Sequence, residues 1–236
     1  MLDAQQQECV KAPPNDSIVI RACPGSGKST TIAHRCAELV NHGIPPNRIL
    51  VLTFSKASRD DLAAKLAHIG GGDMPSVTTH HAFALSLLRR LPGPHSRSIV
   101  VEARAAKKLL RECLPDVADP VAARQSLKRA FALIAKAKSC GEAVVAKTDP
   151  DAVTLLRSYD EELRRRGLID FEDMINLTAD AIRNGEVANG QHFRPSYTHL
   201  LLDEAQDTST AQLALLQAMA PVGSLALTVV GDADQT

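Results

Sequence analysis

Eight consecutive residues, Ala22-Cys23-Pro24-Gly25-Ser26-Gly27-Lys28-Ser29, combine glycines, a lysine and a hydroxyl in the order that binding a triphosphate requires. Glycines let backbone N–H groups curl around phosphate oxygens, and a helix starting just beyond adds partial positive charge. Lys28 would reach the β- and γ-phosphates, the Ser29 hydroxyl would complete a Mg²⁺ shell, and Thr30 would continue the cradle into the helix. A plain glycine-rich β–α turn would share much of this composition. The flanks favour the phosphate loop: a β-rich run over 17–20 precedes it, and helical spacing of Ile32, Cys36, Leu39 and Val40 follows, ending at Gly43. The usual first glycine of such loops is Ala22 here.

A second chemical pair, Asp203-Glu204, ends an apolar run over 199–202, about 175 residues downstream. A parallel strand beside the phosphate-loop strand would carry both acids to the bound phosphates. Asp203 would then order Mg²⁺ and Glu204 would polarise the attacking water. Taken alone, two acids at a strand end are equally well explained as solvated carboxylates.

Positioning these groups requires a sheet. The first 80 or so residues alternate strand and helix: a buried-strand run over 48–53, a helical segment with Leu62, Leu66 and Ile69 on one face, a glycine stop at 70–72, and a short strand at 76–79. Such alternation implies a parallel sheet with helices on its faces. From about 83 the pattern becomes helical, with candidate helices over 82–91, 101–114, 120–138, 151–166 and 171–184. Strand signals return at 199–204 and 225–232, flanking a helix over 212–219. The expected fold is α/β, a parallel sheet interrupted by an all-helical insertion, with boundaries 1–82, 83–194 and 195–236.

Composition excludes several classes. Of 236 residues, 44% are hydrophobic and 23% charged, as in an ordinary globular protein long enough for one large or two small domains. No apolar run approaches the about 18 residues of a membrane span, and the start shows no signal-peptide pattern. Five cysteines, an odd number without metal-ligand spacing, read as free thiols and a cytoplasmic setting. Formal net charge is zero, yet residues 89–147 hold 13 Lys and Arg against 5 Asp and Glu. That local field suits a nucleic-acid backbone, or equally a set of helices with solvated basic faces. With two tyrosines and no tryptophan, base-stacking platforms are scarce. Oligomeric state is not legible.

Asp203-Glu204-Ala205-Gln206-Asp207 resembles motif II of the UvrD/Rep-like superfamily 1 DNA helicases. Further segments resemble that family in the same order. Leu2 to Val10 is similar to its adenine-reading segment, with Gln6 in the key position, although Gln5 and Gln7 leave alternative registers. A carboxamide can donate to an adenine ring nitrogen while accepting from the exocyclic amine, which selects ATP over GTP. Thr53-Phe54-Ser55 is similar to motif Ia, Thr79-His80-His81 to motif Ib, and Gly231-Asp232-Ala233-Asp234-Gln235 to the start of motif III. Leu168-Ile169-Asp170-Phe171 resembles the segment that returns the insertion to the sheet.

The resemblance implies a RecA-like P-loop NTPase domain (1A) carrying an insertion (1B), in an enzyme that hydrolyses ATP with Mg²⁺ to move 3′→5′ along single-stranded DNA. It implies that Gln235 senses the γ-phosphate, that Phe54 stacks on a base, and that Thr79 and His81 hold DNA phosphates. A core aromatic is the alternative for Phe54, and a solvated helix end is the expected role of Arg164-Arg165-Arg166. The pair His80-His81, read as adjacent strand residues, faces opposite sides and so suits no shared metal. Departures are Lys56-Ala57 where motif Ia often continues Asn-Lys, Thr30 where many relatives carry arginine, and Cys23 within the phosphate loop, either a reactive or an inert buried thiol. Motifs IV to VI and a second RecA-like domain are expected outside these residues, so that this stretch alone would not unwind duplex. A non-enzymatic nucleotide-binding module and the motor part of a helicase–nuclease are the alternatives.

Overall fold

A computed structural model describes residues 2–23, 25–90, 98–184, 187–188, 191–192, 197–220 and 225–232. In chain order the elements are α1 (Ala4–Lys11), β1 (Ile18–Arg21), α2 (Lys28–Asn41), β2 (Ile49–Thr53), α3 (Lys56–Gly70), β3 (Val77–Thr79), α4 (His80–Leu88), β4 (Ile99–Val100), α5 (Ala103–Glu112), α6 (Pro120–Cys140) and α7 (Glu142–Ala146). They continue with α8 (Pro150–Arg165), β5 (Leu168–Ile169), α9 (Asp173–Arg183), β6 (Val187–Ala188), β7 (Gln191–His192), β8 (His199–Leu202), α10 (Thr210–Met219) and β9 (Ala226–Gly231). They fall into two compact units: Met1–Phe83 with Arg194–Thr208 and Ala220–Thr236, and Ala84–Phe193 with Ser209–Met219.

The first unit is built on a five-stranded sheet in the order β1-β9-β8-β2-β3. All its pairings are parallel, with Ile18 opposite Thr228, Leu200 opposite Leu227, Ile49 opposite His199 and Val51 opposite Val77. β2 and β8 are buried at every position, which is why they read as unbroken Ile/Leu/Val runs rather than alternating ones. Ile32, Cys36 and Leu39 of α2 pack with Leu62 and Leu66 of α3 and with Val51, Leu201 and Val230 of the sheet. Side chains fix the helix starts. Asp3 and Gln6 form a reciprocal capping box on α1, and Ser55 caps α3 by accepting from the Ser58 N–H at 3.0 Å.

The sheet order corrects one expectation. β8 does not lie beside β1, because β9, the last strand in the chain, is inserted between them. The order of strands is a non-local property that the local apolar runs do not encode.

The second unit is mostly helical but not all-helical. Ile99 and Val100 pair in parallel with Leu168 and Ile169, and β6 pairs antiparallel with β7. These two-residue strands are too short to leave a periodic signature. Leu109 and Leu110 of α5, Ile134 of α6, Val145 of α7, and Leu156, Tyr159 and Leu163 of α8 form its core. α10 packs on α9 within this unit. Among the buried residues is a charge, Lys138, whose Nζ lies 2.8 Å from Asp160, 2.8 Å from Asp170 and 2.7 Å from Asp173. The ammonium also sits 5.1 Å from the Tyr159 ring centroid.

Candidate active site

All five strands of the first unit run in one direction, so their C-terminal ends share one edge, where ligands of open α/β sheets bind. The phosphate-loop candidate leaves β1 at this edge. The Ala22 N–H donates to the Gly231 carbonyl at 3.1 Å, and the Ser26 N–H and hydroxyl both return to the Cys23 carbonyl. Gly25 and Gly27 adopt φ of 77° and 81°, a left-handed turn that glycine enters without the Cβ penalty. The Thr31 N–H then closes the first turn of α2 on the Gly27 carbonyl. Cys23 is exposed, which removes the buried-thiol reading, and Thr30 is half-buried. Pro24 lies outside the described residues.

Lys28 and Ser29, the first two residues of α2, meet the acids that follow β8. Lys28 Nζ donates to Glu204 Oε2 at 3.3 Å, and Ser29 Oγ donates to Asp203 Oδ2 at 3.4 Å. Groups separated by 176 and 174 residues therefore share one site, even with β9 between their strands. The Asp203 N–H donates to the Leu52 carbonyl, which extends the β8–β2 ladder to this residue. Asp203 is 2% exposed. Burial raises it above the ordinary carboxylate range, and the Glu204 charge adds to this, while the Glu204 N–H, Lys28 and Ser29 offset part of the rise.

Glu204 has φ of 53°, the one non-glycine left-handed residue among those described. Such strain costs about 1–3 kcal/mol and persists where surrounding contacts enforce it. Here Gln206 does so. Its Nε2 donates to Glu204 Oε2 at 2.7 Å, while its Oε1 accepts from the Asp232 N–H at 3.0 Å. A Cβ on Gly231 would stand 2.9 Å from that same oxygen, so a side chain there would push the Gln206 carboxamide out of this bridge. Gln206 thus ties the end of β8 to the end of β9. Its place in the motif was legible, but the bridge itself was not.

Gln6 reaches the phosphate loop from the other side. Its backbone N–H donates to Asp3 Oδ1 at 2.8 Å, its Oε1 accepts from the Asp3 N–H at 3.0 Å, and its Nε2 donates to the Ser26 carbonyl at 2.8 Å. Gln7 turns back onto the Leu2 carbonyl and Gln5 is exposed, so Gln6 alone of the three touches the loop.

The residues with DNA-contact expectations lie further along the edge. Thr53 and Thr79 are register partners, so Phe54 and His80-His81 leave adjacent strands. Phe54 is 52% exposed, unlike a core aromatic. Thr79 is buried and its hydroxyl accepts from the Ala82 N–H at 3.3 Å, capping α4. His80 and His81 open that helix instead of extending the strand, because this cap starts the helix at once. Burial pushes both imidazoles down to about 4, so both are neutral near pH 7. Arg164, Arg165 and Arg166 pair with Glu161, Glu162 and Glu112 at the end of α8. Gln235 lies outside the described residues.

A protein-family model described as the UvrD/REP helicase N-terminal domain matches residues 2–236. The chain is 32% identical to ATP-dependent DNA helicase UvrD2 of Mycobacterium tuberculosis (strain ATCC 25618 / H37Rv), over 100% of this chain and 37% of that protein. It is 27% identical to ATP-dependent DNA helicase PcrA of Leuconostoc citreum and 27% to UvrD1 of Mycobacterium leprae, in each case over 100% of this chain and 33% of the relative. The chain thus spans about a third of the length of the curated relatives it matches. With the phosphate loop, the acid pair and the parallel sheet in place, the chain belongs to the UvrD/REP helicase N-terminal domain family.

Proposed function

We propose that this chain is the ATP-binding part of an ATP-dependent DNA helicase or translocase that moves 3′→5′ on single-stranded DNA. The observation that carries this is the convergence of Lys28 with Glu204 and of Ser29 with Asp203 on one edge of the sheet. Residues 1–82, 83–194 and 195–236 would correspond to domain 1A, insertion 1B and the return to 1A, with α10 of that return grouped with the helices of the second unit.

In this reading the backbone N–H groups of 25–30 cradle the phosphates, and the N-terminus of α2 adds its positive end. Lys28 leaves Glu204 and moves to the β- and γ-phosphates, so that an entering anion replaces the resting partner. Freed of that ion pair but still held by Gln206, Glu204 orients a water and accepts its proton. The Ser29 hydroxyl and the Asp203 carboxylate fit a hydrated divalent ion. Among the described residues no cluster of three His, Cys, Asp or Glu could form an all-protein cage, and Mg²⁺ characteristically relies on one carboxylate plus substrate phosphates. When bound, that ion supplies neutralisation of the developing charge on the phosphoryl group. Gln6 reads the adenine, Gln235 reports the γ-phosphate, Phe54 stacks on a base, and Thr79 and His81 contact the DNA backbone. A second RecA-like domain would supply arginines to the γ-phosphate, worth 10³–10⁵ in turnover by the general arithmetic of such groups. A polypeptide of these 236 residues alone should therefore bind Mg-ATP, turn it over slowly and leave duplex DNA intact.

The test is titration of a fluorescent ATP analogue into wild type and Lys28→Ala, with and without oligo-dT. Binding weakened at least about tenfold by the substitution, the loss of a charge-assisted contact, supports the assignment. Equal affinity in the two proteins removes Lys28 from its role.

A further inference from the structure

The segment between α1 and β1 is held in an unusual way. Ala12-Pro13-Pro14 adds two prolines, which have no N–H to enter a ladder, and the chain turns at once, with the Asp16 N–H donating to the Pro13 carbonyl at 3.2 Å. The carbonyls of this segment are gathered by two side chains from the nucleotide-site elements. Arg35 of α2, about 10 Å along the helix axis from Lys28 at 1.5 Å per residue, is buried. Its Nη1 donates to the Val10 carbonyl at 3.0 Å and also to that of Ala12, and its Nη2 donates to the Pro13 carbonyl at 2.9 Å. From β8, His199 Nε2 donates to the Pro14 carbonyl at 3.0 Å, with Nδ1 2.9 Å from the Thr198 hydroxyl. The carbonyls of residues 10, 12, 13 and 14 are thus bound from the helix that carries the phosphate-loop lysine and the strand that carries the acid pair.

Arg35 is an expensive choice for a buried position. Desolvation lowers its pKa, and it faces no carboxylate within ion-pair distance among the described residues, only the more distant charges of Glu38 and Asp16. A planar, multi-donor guanidinium is suited to several carbonyls at once, whereas an ammonium is a point charge. What this fork fixes is the C-terminal end of α1. That helix is eight residues long, and on its own such a helix is marginal in water. Gln6 lies one turn before Val10, and its Nε2 already reaches the Ser26 carbonyl. The setting of α1 against α2 therefore decides where the Gln6 carboxamide stands relative to the phosphate cradle.

We infer that Arg35 is a positioning residue for base selectivity: by clamping the 10–14 carbonyls to α2 it sets the distance between the purine-reading Gln6 and the phosphate loop. His199 completes the clamp from β8. The inference rests on the reading of Gln6 as the adenine contact, and the experiment separates the two. A clamp of this kind acts on the ratio of ATP to GTP binding. Loss of general structure would weaken both nucleotides together, since the phosphate contacts are common to them.

The full chain would be prepared as wild type, Gln6→Ala, Arg35→Gln and Arg35→Lys, each checked by circular dichroism and thermal melting. Affinities for fluorescent ATP and GTP analogues would be measured with magnesium. Wild type should prefer ATP, Gln6→Ala should erase the preference, and Arg35→Gln should reduce it about tenfold with GTP affinity held within about twofold, the scale of one or two lost hydrogen bonds. Arg35→Lys, which keeps the charge and loses the fork, should fall between. If Arg35→Gln does not fold, Arg35→Lys carries the test alone. An unchanged ratio in Gln6→Ala would overturn the Gln6 reading, and the clamp with it. A collapsed ratio in Gln6→Ala beside an intact ratio in a folded Arg35 variant, or parallel loss of both nucleotides, would overturn the clamp alone.

Discussion

Glu204 combines a strained backbone with two side-chain partners of opposite kind, a cation from α2 and an amide from the turn after β8. Neutralising it separates its proposed roles. Glu204→Gln removes the anion that holds Lys28 and the base that would accept a proton, while preserving size. Affinity for an ATP analogue should stay constant or tighten, because nothing then competes with phosphate for the ammonium. Steady-state hydrolysis by the protein should fall by at least about 10², the typical contribution of a general base. Equal turnover would move the water-activating role to another group. Gly27 offers a complementary reading of the cradle. Gly27→Ala places a Cβ at φ of 81° and 2.8 Å from Gln6 Nε2, so nucleotide binding should weaken, and left-handed strain of about 1–2 kcal/mol should lower the melting temperature by a few degrees. A wild-type affinity in that variant would show that the loop reshapes freely. Both effects were half-legible: the glycines and acids stand in short contiguous runs, but their meeting with Gln6 and Gln206 depends on how distant segments pack.

Among the elements, α6, α8 and α9 are joined by one buried ammonium. Lys138 follows Ala130 and Ile134 at intervals of four, so the stripe that buries those residues carries the lysine inward too. Within a basic tract it read as one more cation for a nucleic-acid backbone or for a solvated helix face, although the spacing itself held the signal. Likewise the Asp170 N–H donates to Asp173 Oδ2 and the Asp173 N–H to Asp170 Oδ1, each at 3.0 Å, a reciprocal pair whose i,i+3 spacing was present in the sequence. The strong apolar periodicity of α5, α6, α8 and α9 marked those helices to within a few residues, whereas α7 and β4–β7 were too short to announce themselves. Lys138→Met should destabilise the second unit by about 3–5 kcal/mol, since it leaves buried carboxylates unmatched. Denaturant titration monitored by circular dichroism measures this, and a loss below about 1 kcal/mol would mean the cluster is open to water. Burial, followed by the neighbouring Asp170, raises Asp173 to about 6 against the opposing pull of Lys138. The folded state therefore binds more protons than the unfolded chain between about pH 4 and 6. The stability from this group is complete below about pH 4 and is lost as pH rises through about 6. Asp173→Asn should flatten that slope, whatever its effect on absolute stability, and an unchanged slope would assign it to Asp160 or Glu172, both also raised by burial.

Across the whole molecule, zero net charge conceals a division that matters for a polyanionic partner. The excess of basic residues in 89–147 falls largely on exposed positions of the second unit, including Arg104, Lys107, Lys108 and Arg111 on α5 and Arg124, Lys128 and Lys136 on α6. The nucleotide-site residues belong to the first unit. Binding of DNA and of ATP analogues should therefore respond to different substitutions. Neutral proteins without a charge asymmetry lose little affinity as salt rises, but a contact made by clustered cations releases counterions, with a slope near −0.7 per phosphate on single strands. Oligo-dT affinity should fall steeply between 50 and 200 mM salt by that rule. Replacing Lys107 and Lys108 by glutamate should make the slope shallower by about 1–2 and leave the ATP-analogue affinity unaltered. Anisotropy titrations at several salt concentrations read both quantities. If the double variant keeps the wild-type slope, Lys107 and Lys108 take no part in oligo-dT binding, and the proposed DNA contact would move to the sheet edge around Phe54.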